Sequence, residues 1–213
     1  MSKTVLIGAG FSSAVLSKKI KSNNLIVYDK GRGAGGRSST RRVDTVGVFD
    51  HGLQFISPKE KEFELFLEHY LISSVKEWKG KFFLFEKNRR IDKKKYIGKS
   101  GNNDFVKNLI STNVYYQKEL LSIKRVSNKW FLKFADNSKE ECEKLILSIP
   151  LEQCQKIILS LNLDLKVIGS MEPNLTTMVG FDKSLGIPAN GFKFEKNSIL
   201  GWAANESSKI RSE

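Results

Sequence analysis

Residues 29–42 read Asp29-Lys30-Gly31-Arg32-Gly33-Ala34-Gly35-Gly36-Arg37-Ser38-Ser39-Thr40-Arg41-Arg42, and they follow directly on a short apolar run, Leu25-Ile26-Val27-Tyr28. Working back from Asp29, Gly8 lies 21 residues upstream and opens the turn Gly8-Ala9-Gly10-Phe11-Ser12-Ser13, which is preceded by a second apolar run, Val5-Leu6-Ile7. Apolar run, glycine turn, helical pattern, apolar run and acid are the order of a βαβ nucleotide-binding unit, whose acid stands about twenty residues after the first glycine. The chain therefore reads as α/β, opening on a Rossmann-like dinucleotide-binding domain.

The residue types fit that chemistry. Gly8 permits the tight turn, and Gly10 lets backbone approach a pyrophosphate whose charge meets the positive end of the following helix. Ser12 and Ser13 begin that helix; Ser13 occupies the place where Gly or Ala usually allows close helix–strand packing, and its side chain is small. Asp29 is placed to accept hydrogen bonds from an adenosine ribose and to disfavour a 2′-phosphate, which weighs against NADP. Four glycines within residues 31–36, followed by Arg37, Arg41 and Arg42, combine freed backbone amides with guanidinium groups, a pairing that serves a diphosphate better than it serves a linker.

With the glycine turn, Asp29-Lys30, the GAGGRSSTRR segment and Phe49-Asp50-His51-Gly52-Leu53-Gln54-Phe55 in the same order and spacing, the chain resembles the renalase-like FAD-dependent oxidoreductases, relatives of the flavin amine oxidases. The resemblance implies FAD as cofactor. It implies that Gly8, Gly10 and Asp29, with Ser12, Ser13 and Lys30 beside them, hold the ADP half, and that Gly35, Gly36 and Arg37, with Arg41 and Arg42, lie along the pyrophosphate and ribityl chain. Gly52, Leu53, Gln54 and Phe55 would run beside the isoalloxazine ring, and the strand at Leu120 would present backbone to the adenine. Members of that family continue past the position of Gly201-Trp202-Ala203 to a Gly-Asp element and a final helix, so this chain is expected to correspond to roughly the first two thirds of such a protein.

Composition narrows the remaining classes. At 213 residues and 40% hydrophobic content the chain can bury a substantial core. Its net charge of +13 is spread along the sequence in small clusters such as Arg89-Arg90 and Lys93-Lys94-Lys95 without a recognition motif, so a nucleic-acid partner is not expected. No apolar run approaches the length needed to span a bilayer, and the apolar start is interrupted by Gly8 and Gly10, so neither a membrane partner nor a leader is expected and the setting reads as cytoplasmic. Cys142 and Cys154 are too few for a disulfide scaffold or a zinc site; no metal is expected.

The resemblance implies a Rossmann-like FAD-binding domain interleaved with a mixed α+β substrate domain. Residues 1–55 form the first nucleotide-binding part; 56–102 a substrate-side helix and strand; 103–150 the return to the FAD-binding domain; and 151–213 substrate-domain strands. Phe63, Phe66, Leu67, Tyr70 and Leu71 predict one helix face within 60–76. Strands are expected over 81–85, 114–117, 120–126, 130–134 and 145–149, and near 176–181, 191–195 and 200–204, with a helix over 151–161.

A flavin performs hydride chemistry itself, so no acid–base dyad is required and no catalytic residue is assigned; His51 serves as readily in a turn as in catalysis. Three readings follow. The first is an FAD-dependent oxidoreductase taking a hydride from an amine or a dihydronicotinamide-like small molecule and passing electrons to oxygen. The second is a dinucleotide-binding module without turnover. The third is an NAD-dependent dehydrogenase, for which the GGRSSTRR box has no evident task. Substrate and oligomeric state are not legible.

Overall fold

A computed structural model describes residues 2–20, 24–161 and 169–211. In chain order the elements are β1 (Thr4–Ile7), α1 (Phe11–Lys19), β2 (Leu25–Tyr28), β3 (Arg41–Val43), β4 (Gly47–Phe49), α2 (Lys61–Leu71), β5 (Val75–Glu77), β6 (Phe82–Leu84), β7 (Arg89–Arg90) and β8 (Tyr96–Gly98). They continue with α3 (Asp104–Lys107), β9 (Asn113–Tyr115), β10 (Leu120–Val126), β11 (Lys129–Phe134), β12 (Lys139–Cys142), β13 (Lys144–Leu147), α4 (Leu151–Ile158), β14 (Gly191–Lys193) and β15 (Trp202–Ala204). The chain divides into two compact units, each made of two separate stretches: Met1–Gly36 with Val106–Leu175, and Arg37–Phe105 with Thr176–Glu213.

The first unit carries a four-stranded parallel sheet in the order β13-β1-β2-β9. Central parallel strands are covered on both faces and so read as continuous apolar runs, and every residue of β1 is buried. Alternation then divides the run. Val5 and Ile7 pack with Tyr28 against Leu120, Ile123, Leu132 and Phe134 of the antiparallel sheet β10-β11-β12. Leu6, with Leu25 and Val27, faces Leu16 and Ile20 of α1 and its flank. Helix α1 presents Ser13, Ala14 and Ser17 to the interior, small side chains that allow a close approach. The Ser17 hydroxyl donates to the Ala14 carbonyl and accepts from the Ser111 amide, so its burial leaves no polar group unpaired.

The second unit carries a mixed sheet in the order β15-β14-β6-β7, in which β14 and β6 run parallel. Two smaller antiparallel pairs, β3-β4 and β5-β8, accompany it. Trp78, Phe82 and Ile97 form its buried core with Phe55, Ile91, Trp202 and Ala204. The predicted helix face appears on α2, where Leu67 and Leu71 are buried and the Phe63, Phe66 and Tyr70 rings follow one another at 6.2 and 4.9 Å.

Three local expectations change. The helix expected to Lys76 ends at Leu71, where the apolar stripe stops; after Ser73-Ser74 the chain pairs instead as β5. Among the described residues no strand forms near 176–181: no described segment pairs with it, and Leu175, Val179 and Phe181 stand exposed; a strand exists only as one of a pair. Residues 41–49, where no strand is expected, form a hairpin with Thr45 at φ 66° in its turn and Gly47 at φ 135° just after it.

Leu6 is 0% exposed at the centre of the parallel sheet. Leu6→Ala is expected to lower stability by about 2–5 kcal/mol, the range for a buried leucine truncation, measured by urea unfolding; a loss under about 1 kcal/mol would contradict this packing.

Candidate functional site

In the first unit the glycine turn is shaped by its neighbours. Gly8 has φ +103°, and a Cβ there would lie 3.1–3.2 Å from Ser148 and Ile149. Its amide donates to the Tyr28 carbonyl at 2.8 Å, which locks the turn to the end of β2. Gly10 is the opposite case: a Cβ there would meet nothing within 4 Å, so the space above the start of α1 is open. Gly10 also caps α1 without a side-chain bond, and the first helical turn holds no acid.

Asp29 closes this turn. Its Oδ2 accepts from the Ala9 amide and its Oδ1 from the Gly31 amide, both at 2.6 Å. Each carboxylate oxygen retains a lone pair for a further donor. The Asp29 backbone is held too: its amide donates to the Tyr115 carbonyl and its carbonyl accepts from Lys118, both at 2.9 Å. Tyr116 stands in this neighbourhood, its phenol pushed up by burial and by the Asp29 charge. The second glycine turn folds back onto the first. Gly35 donates to the Ala9 carbonyl at 3.1 Å, and Gly36, at φ +52°, would place a Cβ only 3.5 Å from the Gly10 Cα. Residues 26 apart are thus brought into one backbone-lined surface.

The neighbouring candidates take different places. Ser12 is exposed at the start of α1, whereas Ser13 is fully buried, donating to the Gly8 carbonyl and pairing with the Ser148 hydroxyl. Ser13 therefore ties helix to strand. Lys30 reaches Glu119 at 3.8 Å across exposed surface, an ion pair of small energetic weight. The Leu120 side chain lies in the core.

In the second unit Arg37 is joined to the DHGLQF segment. The Arg37 carbonyl accepts from the Leu53 amide at 2.8 Å, and a Cβ on Gly52 would lie 2.1 Å from that carbonyl oxygen. The Gln54 amide group donates back to the Asp50 carbonyl. Phe55 stacks near Trp202 at 5.0 Å and Trp78 at 6.2 Å. Arg37, Arg41 and Arg42 are exposed; Arg42 donates to the carbonyl and hydroxyl of Ser100 at 3.2 and 3.3 Å. Lys95 is 2% exposed, its ammonium 3.9 Å from the Phe82 ring centroid, and burial pushes its pKa down.

The group that sequence reasoning missed is Asp50, 2% exposed and at the centre of a charged cluster. Its Oδ1 accepts from the Thr40 hydroxyl at 2.8 Å, the Asn102 amide at 3.0 Å and Arg211 at 3.3 Å. Its Oδ2 accepts from Lys209 at 2.9 Å and from the second Arg211 nitrogen. Glu206 completes the cluster, accepting from Lys209 at 2.6 Å and from the Asp50 amide at 3.3 Å. Burial raises the Asp50 pKa, but the bonds and charges of Arg211 and Lys209 outweigh it and hold the carboxyl below the usual range. Burial pushes Glu206 the other way, up. Asn102 belongs to the same construction, donating to the Leu53 carbonyl at 2.6 Å and accepting from Gly98 at 3.0 Å. Four buried polar atoms lack a partner among the described residues: His51 Nδ1, Asn103 Oδ1, Trp202 Nε1 and Arg211 Nε. All belong to the second unit and to segments that flank Asp50 or Phe55.

Residues 6–70 match the family of NAD(P)-binding Rossmann-like domains. The fold is shared with oxidases. Over 97% of this chain and 73% of the other, it superposes with a TM-score of 0.65 and 10% identity on a protein of Exiguobacterium sp. 255-15 named as a candidate protoporphyrinogen oxidase. It superposes on putrescine oxidase bound to putrescine with a TM-score of 0.54 and 11% identity, over 73% of this chain and 60% of that one. A fatty acid isomerase from P. acnes gives 0.55 at 10% identity, over 76% and 62%. The chain thus spans less than two thirds of the length of the last two proteins. Together these findings establish a mixed α/β protein with a parallel sheet and a Rossmann-like dinucleotide-binding domain.

Two predictions follow from this geometry. Gly52→Ala should lower the melting temperature, at a cost of about 1–3 kcal/mol or more, because the added methyl must displace the Arg37 carbonyl; a stability equal to wild type would show that the crossing is looser than described. Asp50 has a depressed folded-state pKa, so its contribution is complete above the ordinary carboxylate range and is lost as pH falls through it, below about pH 4. Glu206, raised by burial, has the opposite sign and favours the folded state on the acid side. Asp50→Asn should therefore cost about 3–5 kcal/mol near neutrality by leaving Arg211 and Lys209 without this carboxylate, and its melting temperature should fall less steeply below about pH 4 than that of the wild type.

Proposed function

We propose that this chain is the dinucleotide-holding part of an FAD-dependent oxidoreductase of renalase and amine-oxidase type. In this reading it takes a hydride from an amine or a dihydronicotinamide-like small molecule and delivers the electrons to oxygen, without a nucleic-acid or membrane partner. The observation that carries the reading is the pair of glycine turns laid on each other beneath the open space at Gly10, with the Asp29 carboxylate at their edge.

The residues present fit such a cofactor. Gly10 leaves room where a side chain would stand, and the start of α1, whose first turn holds no acid, would offer its positive end to a pyrophosphate. Asp29, with both oxygens already anchored by backbone amides, would orient its remaining lone pairs to ribose hydroxyls. FAD, when bound, supplies the hydride-accepting chemistry, leaving the protein to bind, orient and exclude water. An NAD-dependent dehydrogenase would use Gly8, Gly10 and Asp29 equally well; the second glycine turn, stitched to Ala9, is what favours the larger dinucleotide.

The test is the visible spectrum of the purified chain, with identification of whatever heat releases, and titration with FAD and NAD. FAD held near one per chain, with Asp29→Ala weakening it by about tenfold or more as for loss of a charge-assisted bond, is the expected result. Uptake of NAD in preference to FAD would favour the dehydrogenase, and uptake of neither would overturn the proposal.

A further inference from the structure

Lys209 and Arg211 lie at the far end of the sequence from the glycine turns, yet both are spent on one carboxylate. The Lys209 side chain is 0% exposed and that of Arg211 9%, in a chain whose other lysines are mostly solvated. Burying two cations is costly unless each finds a fixed anion, so their placement has to be explained by what they hold. Asp50 divides its two oxygens. Oδ2 takes Lys209 and Arg211, while Oδ1 takes the Thr40 hydroxyl and the Asn102 amide, with Arg211 as a third donor. Thr40 belongs to the GGRSST segment, and Asn102 holds the Leu53 carbonyl through its side chain. The Leu53 amide in turn donates to the Arg37 carbonyl. One carboxylate thus connects the turn at 206–211 to the backbone of both segments assigned above to the cofactor.

We propose that Lys209 and Arg211 are positioning residues, forming a latch that fixes the 50–55 loop through Asp50 and so presents Gly52–Phe55 in a single arrangement. Neither cation touches the cofactor in this scheme; each acts through Asp50. The charged groups facing the carboxylate are Lys209, Arg211 and Glu206, with Lys76 behind Arg211 and Lys99 beside Lys76. Lys76 also donates to the Ile210 carbonyl, which pins the latch turn itself. While both cations are in place the carboxylate stays ionised and both Oδ1 bonds persist. Without them burial dominates, the carboxyl takes up a proton at a higher pH, and a protonated group cannot hold Thr40 and Asn102 as a carboxylate does.

The inference rests on the flavin reading only for its consequence, and the loop can be observed without any cofactor. Hydrogen exchange of the Leu53 amide, against the Gly8 amide of the first unit as reference, is measured in wild type, Arg211→Met, Arg211→Lys and Lys209→Met/Arg211→Met. A latch predicts that Leu53 exchanges faster by about tenfold or more in Arg211→Met and faster still in the double variant, while Gly8 stays protected and Arg211→Lys, which keeps the charge but not the two-point contact, falls between wild type and Arg211→Met. FAD affinity, followed by quenching of flavin fluorescence, should weaken in the same order. In the double variant it should weaken further as pH is lowered, and more steeply than in the wild type. Unchanged exchange at Leu53 overturns the latch whatever the cofactor does. Equal loss of protection at Leu53 and Gly8 in the single variant, the result for a general stabiliser, overturns it too. A wild type that takes up no FAD, with Leu53 alone released in the variants, removes the flavin reading and leaves the latch standing.

Discussion

Two backbone amides aimed at one carboxylate, Ala9 and Gly31 at Asp29, turn the edge of a parallel sheet into a binding surface. The sheet alone would end in loose loops. Because Asp29 sits at the end of β2 and Ala9 at the end of β1, the carboxylate fixes adjacent strand ends relative to each other, and Gly35 donating to Ala9 brings in the second glycine turn. The order is enforced by space as well as by bonds. A Cβ on Gly31 would stand 2.8 Å from Asp29 Oδ1, and one on Gly8 would press on Ser148 and Ile149. Glycine is therefore required by close approach at Gly31 and by both φ and close approach at Gly8, while Gly10 answers to neither, the space at its Cβ position being open.

The second unit is organised by a different balance. A buried ion pair is seldom a source of net stability, since desolvation offsets most of the attraction, but removal of one partner is strongly unfavourable. Asp50, Lys209, Arg211 and Glu206 fit that pattern: two acids and two bases, all largely buried, each unable to leave without stranding another. Such a cluster specifies an arrangement more than it strengthens one. Its geometry agrees, because it bonds outside itself to the Thr40 hydroxyl and the Asn102 amide.

Legibility in the sequence followed the range of the interactions. The nucleotide-binding start was readable because its signals are local: two apolar runs, a glycine turn and an acid at fixed spacing, realised as β1, α1 and β2 within a residue or so. Helix α2 was readable from its stripe, though not its end, since nothing in Ile72–Glu77 announces that Val75 will pair with Gly98. The Asp50 cluster had no local signal at all. Its partners lie 52, 159 and 161 residues away, and only the folded chain brings them together. The strand expected near 176–181 failed for the converse reason: the residues have the right propensity, but propensity does not supply a neighbour.

The two buried lysines show how differently a strongly basic chain can accommodate an interior ammonium. Lys209 is surrounded by carboxylates, bonded to Asp50 and Glu206. Lys95 has no carboxylate bond among the described residues; it donates to the Lys93 carbonyl at 3.1 Å and rests against the faces of Phe82 and Phe55 at 3.9 and 5.4 Å. Ring quadrupoles return only about 0.5–2 kcal/mol to a cation, less than a carboxylate does in the same surroundings, so the Lys95 ammonium is the less well compensated and burial lowers its pKa. What keeps it inside is its stem: four methylenes passing an aromatic core of Trp78, Phe82 and Phe55 gain burial that a shorter side chain could not. Lys95 thus belongs to the packing of the second unit, and Lys209 to its electrostatic order.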